Sequence, residues 1–490
     1  MKAVRSAASR AKLRGCKTNN AMSERAAADS SAARAPGPAL RRELGLRDLT
    51  LFGITCIVGM RWVPAAARAG PGSVTLVALG AIFFVVPLAI AVAALTVKYP
   101  GAGGFYLWTR RDFGPWHGFF CFWVYWLGIA FWFPSAAMFY MNAAISTLGP
   151  SYAFLAENRF ILVGAALVAV WIALLTNMIG MRVGKWTENI GGVATWILGA
   201  LLVTIAALVW MKRGSATPIR IIPTLNFDTL SFWSAIAYAM TGMELVGMMG
   251  AEIRDPERTL PRAGWMASIF AAFFYAATTL ALLVLLNPER ISEITGLAVA
   301  GETASAALGV AWIAPLMALL LVITGVGQFG GLGTSTSRLP FAVGADHLLP
   351  DAFAKVHPRW GTPHISILAL GIVASTLLLC FQLGDTMRAA YQELVSLMVI
   401  NGFLPFIYIF GSAWKAGKRW SAIGGWAITA VALLCSVVPT AEIRNVWLFE
   451  AKLAAGTLAA IGSAWLLYRR ASPRRIPHPG TILPAVQESD

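Results

Sequence analysis

Two charged residues, Arg61 and Glu244, lie inside long apolar stretches of the chain. The first stretch reads Ile57-Val58-Gly59-Met60-Arg61, and the second reads Tyr238-Ala239-Met240-Thr241-Gly242-Met243-Glu244-Leu245. A guanidinium group can hold a carboxylate through two parallel hydrogen bonds, and a carboxylate can hold an ammonium group or a proton. Each charge at membrane depth costs roughly 2.5–3.5 kcal/mol on insertion scales, so both residues are candidate ligand contacts if they face a cavity.

These stretches belong to a chain that is too apolar for an ordinary soluble domain. Of its 490 residues, 58% are hydrophobic and 13% are charged, whereas soluble domains have about 45–50% and about 25%. The apolar residues form blocks of roughly 20, the length that crosses a hydrocarbon core about 30 Å thick. Because backbone in that core must satisfy its own hydrogen bonds, the blocks are predicted to be helices. The sequence therefore predicts an all-α integral membrane protein.

Twelve transmembrane helices are predicted within residues 46–468. Their approximate bounds are 48–69, 73–97, 115–146, 159–179, 188–211, 229–250, 265–287, 310–336, 363–382, 388–413, 421–440 and 443–468. Residues 1–45 are rich in Ala, Ser and Arg and are predicted to be a disordered basic tail, and residues 469–490 form a second polar tail. The amino-terminal tail lacks a signal-peptide pattern and resembles an organelle transit peptide at its start; Met22 is an alternative start.

Basic residues are distributed unequally between the two sides of the predicted membrane. With the amino terminus in the cytoplasm, the inside segments hold about 29 Lys and Arg and the outside segments about 8. The net charge of +16 is therefore attributed to cytoplasmic loops and not to nucleic-acid binding. The asymmetry predicts a multi-pass protein of the cell (inner or plasma) membrane with both termini in the cytoplasm. The basic loop around Lys212, Arg213 and Arg220 is an exception, since it is predicted to lie outside.

The first and sixth predicted helices each contain an interruption. Gly59 and Pro64 weaken the first, and Gly242 stands beside Glu244 in the sixth. Discontinuous helices at matching positions of two halves are typical of the substrate site of an inverted-repeat transporter. Free N–H groups at such a break attract a carboxylate and free C=O groups attract an ammonium group, so a zwitterionic amino acid would suit both.

Two structural interpretations of Arg61 and Glu244 are open at this stage. The two residues could form a buried ion pair that only joins helices, since breaking such a pair typically costs about 3–5 kcal/mol. Alternatively, Arg61 could extend its side chain to a membrane interface.

Other chemical motifs in the sequence favour structural roles. The segment Gly325-Val326-Gly327-Gln328-Phe329-Gly330 matches a nucleotide-binding pattern but lies within a predicted helix with no strand before it, so close helix packing is the better interpretation. The five cysteines and five histidines form no disulfide framework or metal-ligand spacing. Among the aromatic residues of the third helix, Phe133, beside Pro134, is retained as a candidate wall of the site.

Over roughly residues 45–470, the chain resembles the amino acid–polyamine–organocation (APC) superfamily of permeases. The resemblance rests on the order of its motifs. They are Tyr99-Pro100-Gly101-Ala102-Gly103-Gly104-Phe105-Tyr106 with Phe113-Gly114-Pro115; Gly242-Met243-Glu244; Glu252, Asp255-Pro256, Arg258 and Pro261-Arg262-Ala263; and Leu349-Pro350, Phe353-Ala354-Lys355-Val356-His357-Pro358-Arg359 and Thr362-Pro363. The region of helices 2 and 3 also resembles the bacterial glutamate/γ-aminobutyrate antiporter branch.

This resemblance implies a five-plus-five inverted-repeat fold like that of the leucine transporter. The repeats would span about 48–211 and 229–413, followed by helices 11 and 12. In the family, the breaks in helices 1 and 6 hold the carboxylate and amine of the substrate. The position of the family's aromatic lid, six residues before the helix 6 glutamate, is Tyr238 here.

The chain departs from the family pattern in two places. The family's first helix usually carries a glycine-small-glycine run, of which only Gly59 remains after Ile57 and Val58, and Arg61 is unusual there. Carboxylate capture by Arg61 is therefore expected. Some proton-coupled members carry a lysine inside helix 5, but Lys185 precedes that helix here, which favours exchange or uniport over proton symport.

Together these observations predict a secondary transporter of zwitterionic or acidic amino acids, or of related amines, that works by alternating access. A proton or counter-substrate is a second possible partner, and lipid surrounds the helices. The alternatives are a polyamine permease, a non-transporting amino-acid sensor and a channel. An enzyme is disfavoured because the sequence contains no GxSxG, HExxH or P-loop motif, and no cofactor or metal is expected. Substrate identity, coupling ion and oligomeric state are left open.

Overall fold

Helices form the regular structure of the computed structural model. The residues it describes are 44–99, 103–152, 154–155, 158–179, 181–223, 227–248, 253–381, 387–439, 443 and 445–471. Most of both predicted tails lies outside these residues, as do Pro100, Gly101, Ala102 and Glu252 of the family motifs. Leu44, which was predicted to belong to the tail, is buried and forms an isolated bridge with Ile253.

Seventeen α-helices are named here in chain order, within the described residues. The first nine are α1 (Leu46–Ile57), α2 (Trp62–Arg68), α3 (Ser73–Gly80), α4 (Val86–Lys98), α5 (Phe105–Phe113), α6 (Pro115–Ser146), α7 (Arg159–Met178), α8 (Met181–Arg213) and α9 (Phe227–Ala239). The others are α10 (Met243–Met248), α11 (Pro256–Leu285), α12 (Gly296–Leu308), α13 (Ile313–Ala345), α14 (His364–Phe381), α15 (Met387–Lys415), α16 (Arg419–Ser436) and α17 (Val446–Ala471). A π-helical turn, Ala81–Val85, joins α3 to α4.

Each of the twelve predicted membrane segments contains helix among its described residues. Among the described residues, eight helical stretches are long and apolar enough to cross a membrane: Ser73–Lys98, Pro115–Ser146, Arg159–Met178, Trp186–Arg213, Arg258–Leu285, Ile313–Ala345, Ala390–Lys415 and Val446–Ala471. The other four predicted segments are the interrupted pairs α1–α2 and α9–α10 and the 18-residue helices α14 and α16.

Several helices extend beyond the predicted hydrophobic segments. The helix α11 begins at Pro256, nine residues before the predicted start, and α13 continues to Ala345. Two helices, α5 and α12, lie where the sequence predicted only loops. Hydropathy detects the part of a helix that suits hydrocarbon, whereas backbone hydrogen bonding continues into polar sequence, so these differences are expected for helices that project from a membrane.

Close helix contacts in the interior depend on residues without side chains. The helices α8 and α13 pack against each other, and a Cβ atom added to Gly327 would lie only 2.6 Å from the Cα atom of Gly191. The segment Gly325–Gly330 therefore serves close helix packing, as its sequence predicted.

The outer helix faces are apolar. Phe160 on α7, Phe273 on α11 and Leu434 on α16 are 86%, 74% and 70% exposed, respectively. Such large apolar side chains are costly in contact with water and suited to contact with lipid tails. The surface therefore agrees with a multi-pass membrane protein.

Candidate functional site

The first interruption separates α1 from α2. Helix α1 ends at Ile57, Val58 is extended, and helical structure resumes at Trp62. A Cβ atom at Gly59 would lie 2.8 Å from Cδ1 of Trp62, so this position accommodates only a glycine without local rearrangement. The predicted break is therefore present, and it occupies residues 58–61.

Side chains from two other helices satisfy backbone groups at this first break. The hydroxyl of Tyr275 accepts a hydrogen bond from the Gly59 N–H at 2.8 Å and donates one to the Ile57 carbonyl at 2.9 Å. The amide of Gln328 donates to the Val58 carbonyl at 2.9 Å. The break is thus held open by neutral hydrogen-bonding groups, which is required because buried backbone groups are costly when unpaired.

The second interruption separates α9 from α10. Gly242 has φ of 119°, a backbone conformation that favours glycine. A Cβ atom added to Gly242 would lie 3.1 Å from the Cα atom of Ile57, so the two interruptions are in close contact. The predicted juxtaposition of the two broken helices is therefore present in the fold.

The side chain of Glu244 folds back and binds the backbone of the second break. Its carboxylate accepts the Gly242 N–H at 2.9 Å and 3.1 Å through its two oxygens and accepts the Tyr125 hydroxyl at 2.7 Å. The residue is fully buried. In this conformation Glu244 acts as a cap for the first turn of α10, where a negative charge also complements the helix dipole.

Arg61 lies at the end of the first break and is 1% exposed. Its Nη1 donates to the Ser135 hydroxyl at 2.9 Å, and its Nη2 contacts the Met398 sulfur at 3.6 Å. Three rings surround the guanidinium, with centroids 4.2 Å, 5.6 Å and 6.0 Å from Cζ, and they belong to Trp62, Trp132 and Tyr391. Burial excludes the interpretation that Arg61 extends to a membrane interface.

Arg61 and Glu244 do not form the ion pair considered from the sequence. Among the described residues, no carboxylate lies within 4.0 Å of the Arg61 guanidinium. The two side chains bond to different partners, Ser135 and Met398 for Arg61 and Tyr125 and Gly242 for Glu244. The interpretation of a purely structural pair is therefore wrong for this conformation, because each charge has its own hydrogen-bonding partners.

The remaining predicted site residues lie around the two breaks. Tyr238 is buried between Trp62 and Phe403, with ring centroids 5.7 Å and 5.9 Å away. The Thr241 hydroxyl bonds the Tyr238 carbonyl at 2.8 Å, and the Met243 sulfur receives the Ser268 hydroxyl at 3.1 Å. Met60 is fully buried.

Phe133 was predicted to form a wall of the site, but its ring contacts among the described residues are with other aromatic residues and not with Arg61 or Glu244. Its ring packs against Phe329 on α13 at 5.5 Å and Trp132 at 5.4 Å. The residues of α6 that contact Arg61 are instead Trp132 and Ser135, on either side of Phe133 in the chain.

The sequence did not identify several residues that complete the site. These are Trp62, Tyr125, Trp132, Ser135, Tyr275, Gln328, Tyr391 and Met398. A polar side chain inside an apolar helix was the available signal for Gln328 and Tyr275. The others resemble ordinary interior residues, and nothing in their spacing connects them to Arg61 or Glu244.

A second polar cluster lies where α5 meets the end of α13. Asp346 accepts the Tyr106 hydroxyl at 2.5 Å and forms an ion pair with Arg110. Burial raises the pKa of the Tyr106 hydroxyl well above its ordinary value, as does the neighbouring Asp346, so this hydroxyl remains a hydrogen-bond donor. The cluster ties α5 to α13.

Residues 44–450 match the family described as amino acid permease. An uncharacterized transporter of Legionella pneumophila is 24% identical over 455 residues, which cover 88% of this chain and 97% of the relative.

Two further relatives have names that specify what they carry. A probable agmatine/putrescine antiporter of Lactococcus lactis is 22% identical, covering 68% of this chain and 71% of that protein. A serine/threonine exchanger of Bacillus subtilis is 25% identical, covering 78% and 86%.

Proposed function

This chain belongs to the amino acid permease family of the APC superfamily and is a multi-pass membrane transporter, and we propose that it exchanges zwitterionic or acidic amino acids by alternating access. Its relatives include a serine/threonine exchanger and a probable agmatine/putrescine antiporter. Both amino acids and amines are therefore carried by proteins similar to this one. The choice between them depends on the chemistry of the site in this chain.

The main support for this proposal is the environment of Arg61. Its guanidinium is buried, and no described carboxylate lies within 4.0 Å of it. A buried charge without an opposite charge is costly, and a substrate carboxylate would relieve that cost. A diamine such as putrescine would instead bring positive charge next to Arg61 with little water to screen the repulsion. The site thus favours substrates that have a carboxylate.

The proposed architecture is the twelve-helix, five-plus-five inverted repeat implied by the family. Helices 1–5 and 6–10 form the repeats, helices 11 and 12 follow them, and the breaks occupy the first helix of each repeat. The contact between Gly242 and Ile57 supports this arrangement, because it brings the two breaks to one place. The proposal includes cytoplasmic termini, disordered tails and a location in the cell membrane.

The substrate-binding residues in this proposal are those at the two breaks. Arg61 binds the substrate carboxylate, with the Ile57–Met60 backbone around it. Glu244 contacts the substrate amine or takes up a proton after its present hydrogen bonds are released. Tyr238 closes the site, and Thr241, Gly242 and Met243 of the second break also line it. Phe133 belongs to the wall behind Trp132. An exchange mechanism is favoured because residues 190–210 of the fifth helix contain no lysine.

The proposal is tested by ligand binding to the purified protein and to Arg61 variants. A thermal-shift screen of the twenty amino acids, putrescine and agmatine identifies ligands, because a ligand that binds the folded state stabilises it. The best ligand is then used for competition binding and for counterflow in proteoliposomes. Arg61→Ala is expected to weaken amino-acid binding about tenfold or more, and Arg61→Lys less, because lysine keeps the charge and loses the planar fork.

Arg469→Ala is the matched control, since Arg469 is an exposed arginine at the end of α17. Its affinity should equal that of the wild type. Tight putrescine binding by the wild type would overturn the proposed substrate class, as would wild-type affinity for amino acids in Arg61→Ala. Binding without counterflow would indicate a sensor and not a transporter.

A further inference from the structure

The Arg61 guanidinium offers two edges for recognition, and the protein occupies them unequally. One edge consists of Nη1 and Nη2, and the other consists of Nε and Nη2. A planar guanidinium can bind a carboxylate along either edge through two parallel N–H groups. Trp62, whose ring centroid is 4.2 Å from Cζ, covers one of its faces. Because the guanidinium N–H groups lie in the plane of the group, a ligand oxygen that accepts from them approaches Arg61 along an edge.

Ser135 fixes the nitrogen at one end of the guanidinium. Its hydroxyl donates to the backbone carbonyl of Trp132 at 2.9 Å, so an oxygen lone pair is left to accept Nη1 of Arg61 at 2.9 Å. The residue is fully buried. Ser135 thus orients the guanidinium without supplying charge.

The opposite edge is only partly satisfied. Within the described part of the chain, the Arg61 Nε is buried and has no hydrogen-bond partner. Its neighbour Nη2 contacts the thioether of Met398 at 3.6 Å. A thioether sulfur is a weak acceptor, so it offsets little of the cost of burying this N–H. The Nε–Nη2 edge therefore has the geometry to bind a carboxylate, and its present partner is a weak acceptor on the flexible Met398 side chain.

Building on the proposed function, we propose that the Nε–Nη2 edge of Arg61 is the carboxylate subsite and that the Met398 side chain occupies this edge until a substrate binds. The Met398 sulfur contacts this edge in the present conformation, and the substrate carboxylate displaces it. Met398 is fully buried on α15 and has rotatable bonds that allow the sulfur to move. The subsite takes a single carboxylate, and it discriminates against the corresponding carboxamide, which has only one acceptor oxygen.

The decisive variant is Met398→Glu. The carboxylate carbon of a glutamate would lie where the sulfur lies, and its oxygens would reach about 1.2 Å further, into hydrogen-bonding range of Arg61. This internal acid should occupy the subsite. We expect Met398→Glu to bind the best amino-acid ligand at least about tenfold more weakly than the wild type and to melt at a higher temperature.

Met398→Leu is the second test variant, because leucine has a similar volume but removes the thioether acceptor that competes for the edge. It should bind the amino acid at least as tightly as the wild type and should retain about tenfold discrimination against the carboxamide of that ligand. Wild-type affinity in Met398→Glu would overturn the inference. So would weakening of more than about threefold in Met398→Leu, or equal binding of acid and carboxamide by that variant. The Met398→Leu measurements decide the question if Met398→Glu does not fold.

These outcomes are distinct from failure of the proposed function. If Arg61→Ala loses amino-acid binding but Met398→Glu retains it, Arg61 binds the carboxylate and the assigned edge is wrong. If the wild type binds none of the twenty amino acids, the proposed function itself is wrong.

Discussion

Tyr275 and Gln328 show how neutral side chains can hold a helix open. One hydroxyl of Tyr275 serves both the Gly59 N–H and the Ile57 carbonyl, while Gln328 serves the Val58 carbonyl. Tyr140 in turn donates to the Gln328 oxygen at 2.5 Å. A substrate could use these backbone groups only by replacing bonds that already exist. This cost gives a physical reason for a side chain, Arg61, to supply the charge that binds a carboxylate.

Glu244→Gln separates the charge of Glu244 from its role as a cap. The glutamine oxygen can still accept the Gly242 N–H and the Tyr125 hydroxyl, so the fold should persist while the charge is lost. We expect counterflow to fall at least about tenfold with the protein still monodisperse. The measurement is counterflow of the screened ligand in proteoliposomes, with size-exclusion chromatography of each variant.

Tyr125→Phe is the companion variant, because it removes one hydrogen bond to Glu244 and keeps the charge. It should retain more activity than Glu244→Gln. Normal transport by Glu244→Gln would show that the charge is dispensable. An unfolded Glu244→Gln protein would instead assign Glu244 a structural role.

At the scale of elements, the short helix α5 is tied to the end of α13 by one carboxylate. Asp346 receives both the Tyr106 hydroxyl and the Arg110 guanidinium. Gly104, at the start of α5, also lies against α10, since a Cβ atom there would be 3.2 Å from the Met248 backbone. The helix α5 therefore contacts both an interrupted helix and the long helix α13, so its attachment should respond to changes in the site.

Asp346→Asn should loosen α5. The substitution removes the negative charge of Asp346, to which Tyr106 and Arg110 both donate hydrogen bonds. Hydrogen bonds to a charged group contribute about 1.5–3 kcal/mol each. Amide hydrogen exchange across residues 105–113 is expected to accelerate about tenfold or more. Asp351→Asn is the control, because the pair of Asp351 with His347 is exposed. Unchanged exchange in Asp346→Asn, or an equal acceleration in Asp351→Asn, would contradict the proposed attachment.

At the scale of the whole molecule, the orientation in the membrane follows from charge and can be tested at two exposed positions. Arg220 and Lys418 are both exposed, and they lie on opposite sides in the proposed twelve-helix topology. In a background without native cysteines, a membrane-impermeant thiol reagent should label Arg220→Cys in intact cells and should not label Lys418→Cys. After permeabilisation both should react. The reverse pattern in intact cells would exclude the topology.

The sequence by itself determined the helical membrane class, the positions of the hydrophobic segments and the two interruptions. These follow from local properties, namely apolar length, glycine and proline within a helix, and charge in an apolar stretch. The sequence also indicated the family, through several motifs that occur in the order typical of that family. The helices α5 and α12 escaped prediction because neither is a long apolar segment, although each has backbone hydrogen bonds that a helix satisfies.

Only the tertiary structure decided what Arg61 and Glu244 contact. The sequence placed both charges near one depth and left open whether they meet. The fold brings Ser135 and Met398 to Arg61 and Tyr125 to Glu244 from positions 74, 337 and 119 residues away. Such contacts depend on helix packing and rotamer, which local sequence does not encode. The separation of the two charges, and hence the incompletely satisfied Nε–Nη2 edge of Arg61, is a property of the packed helices.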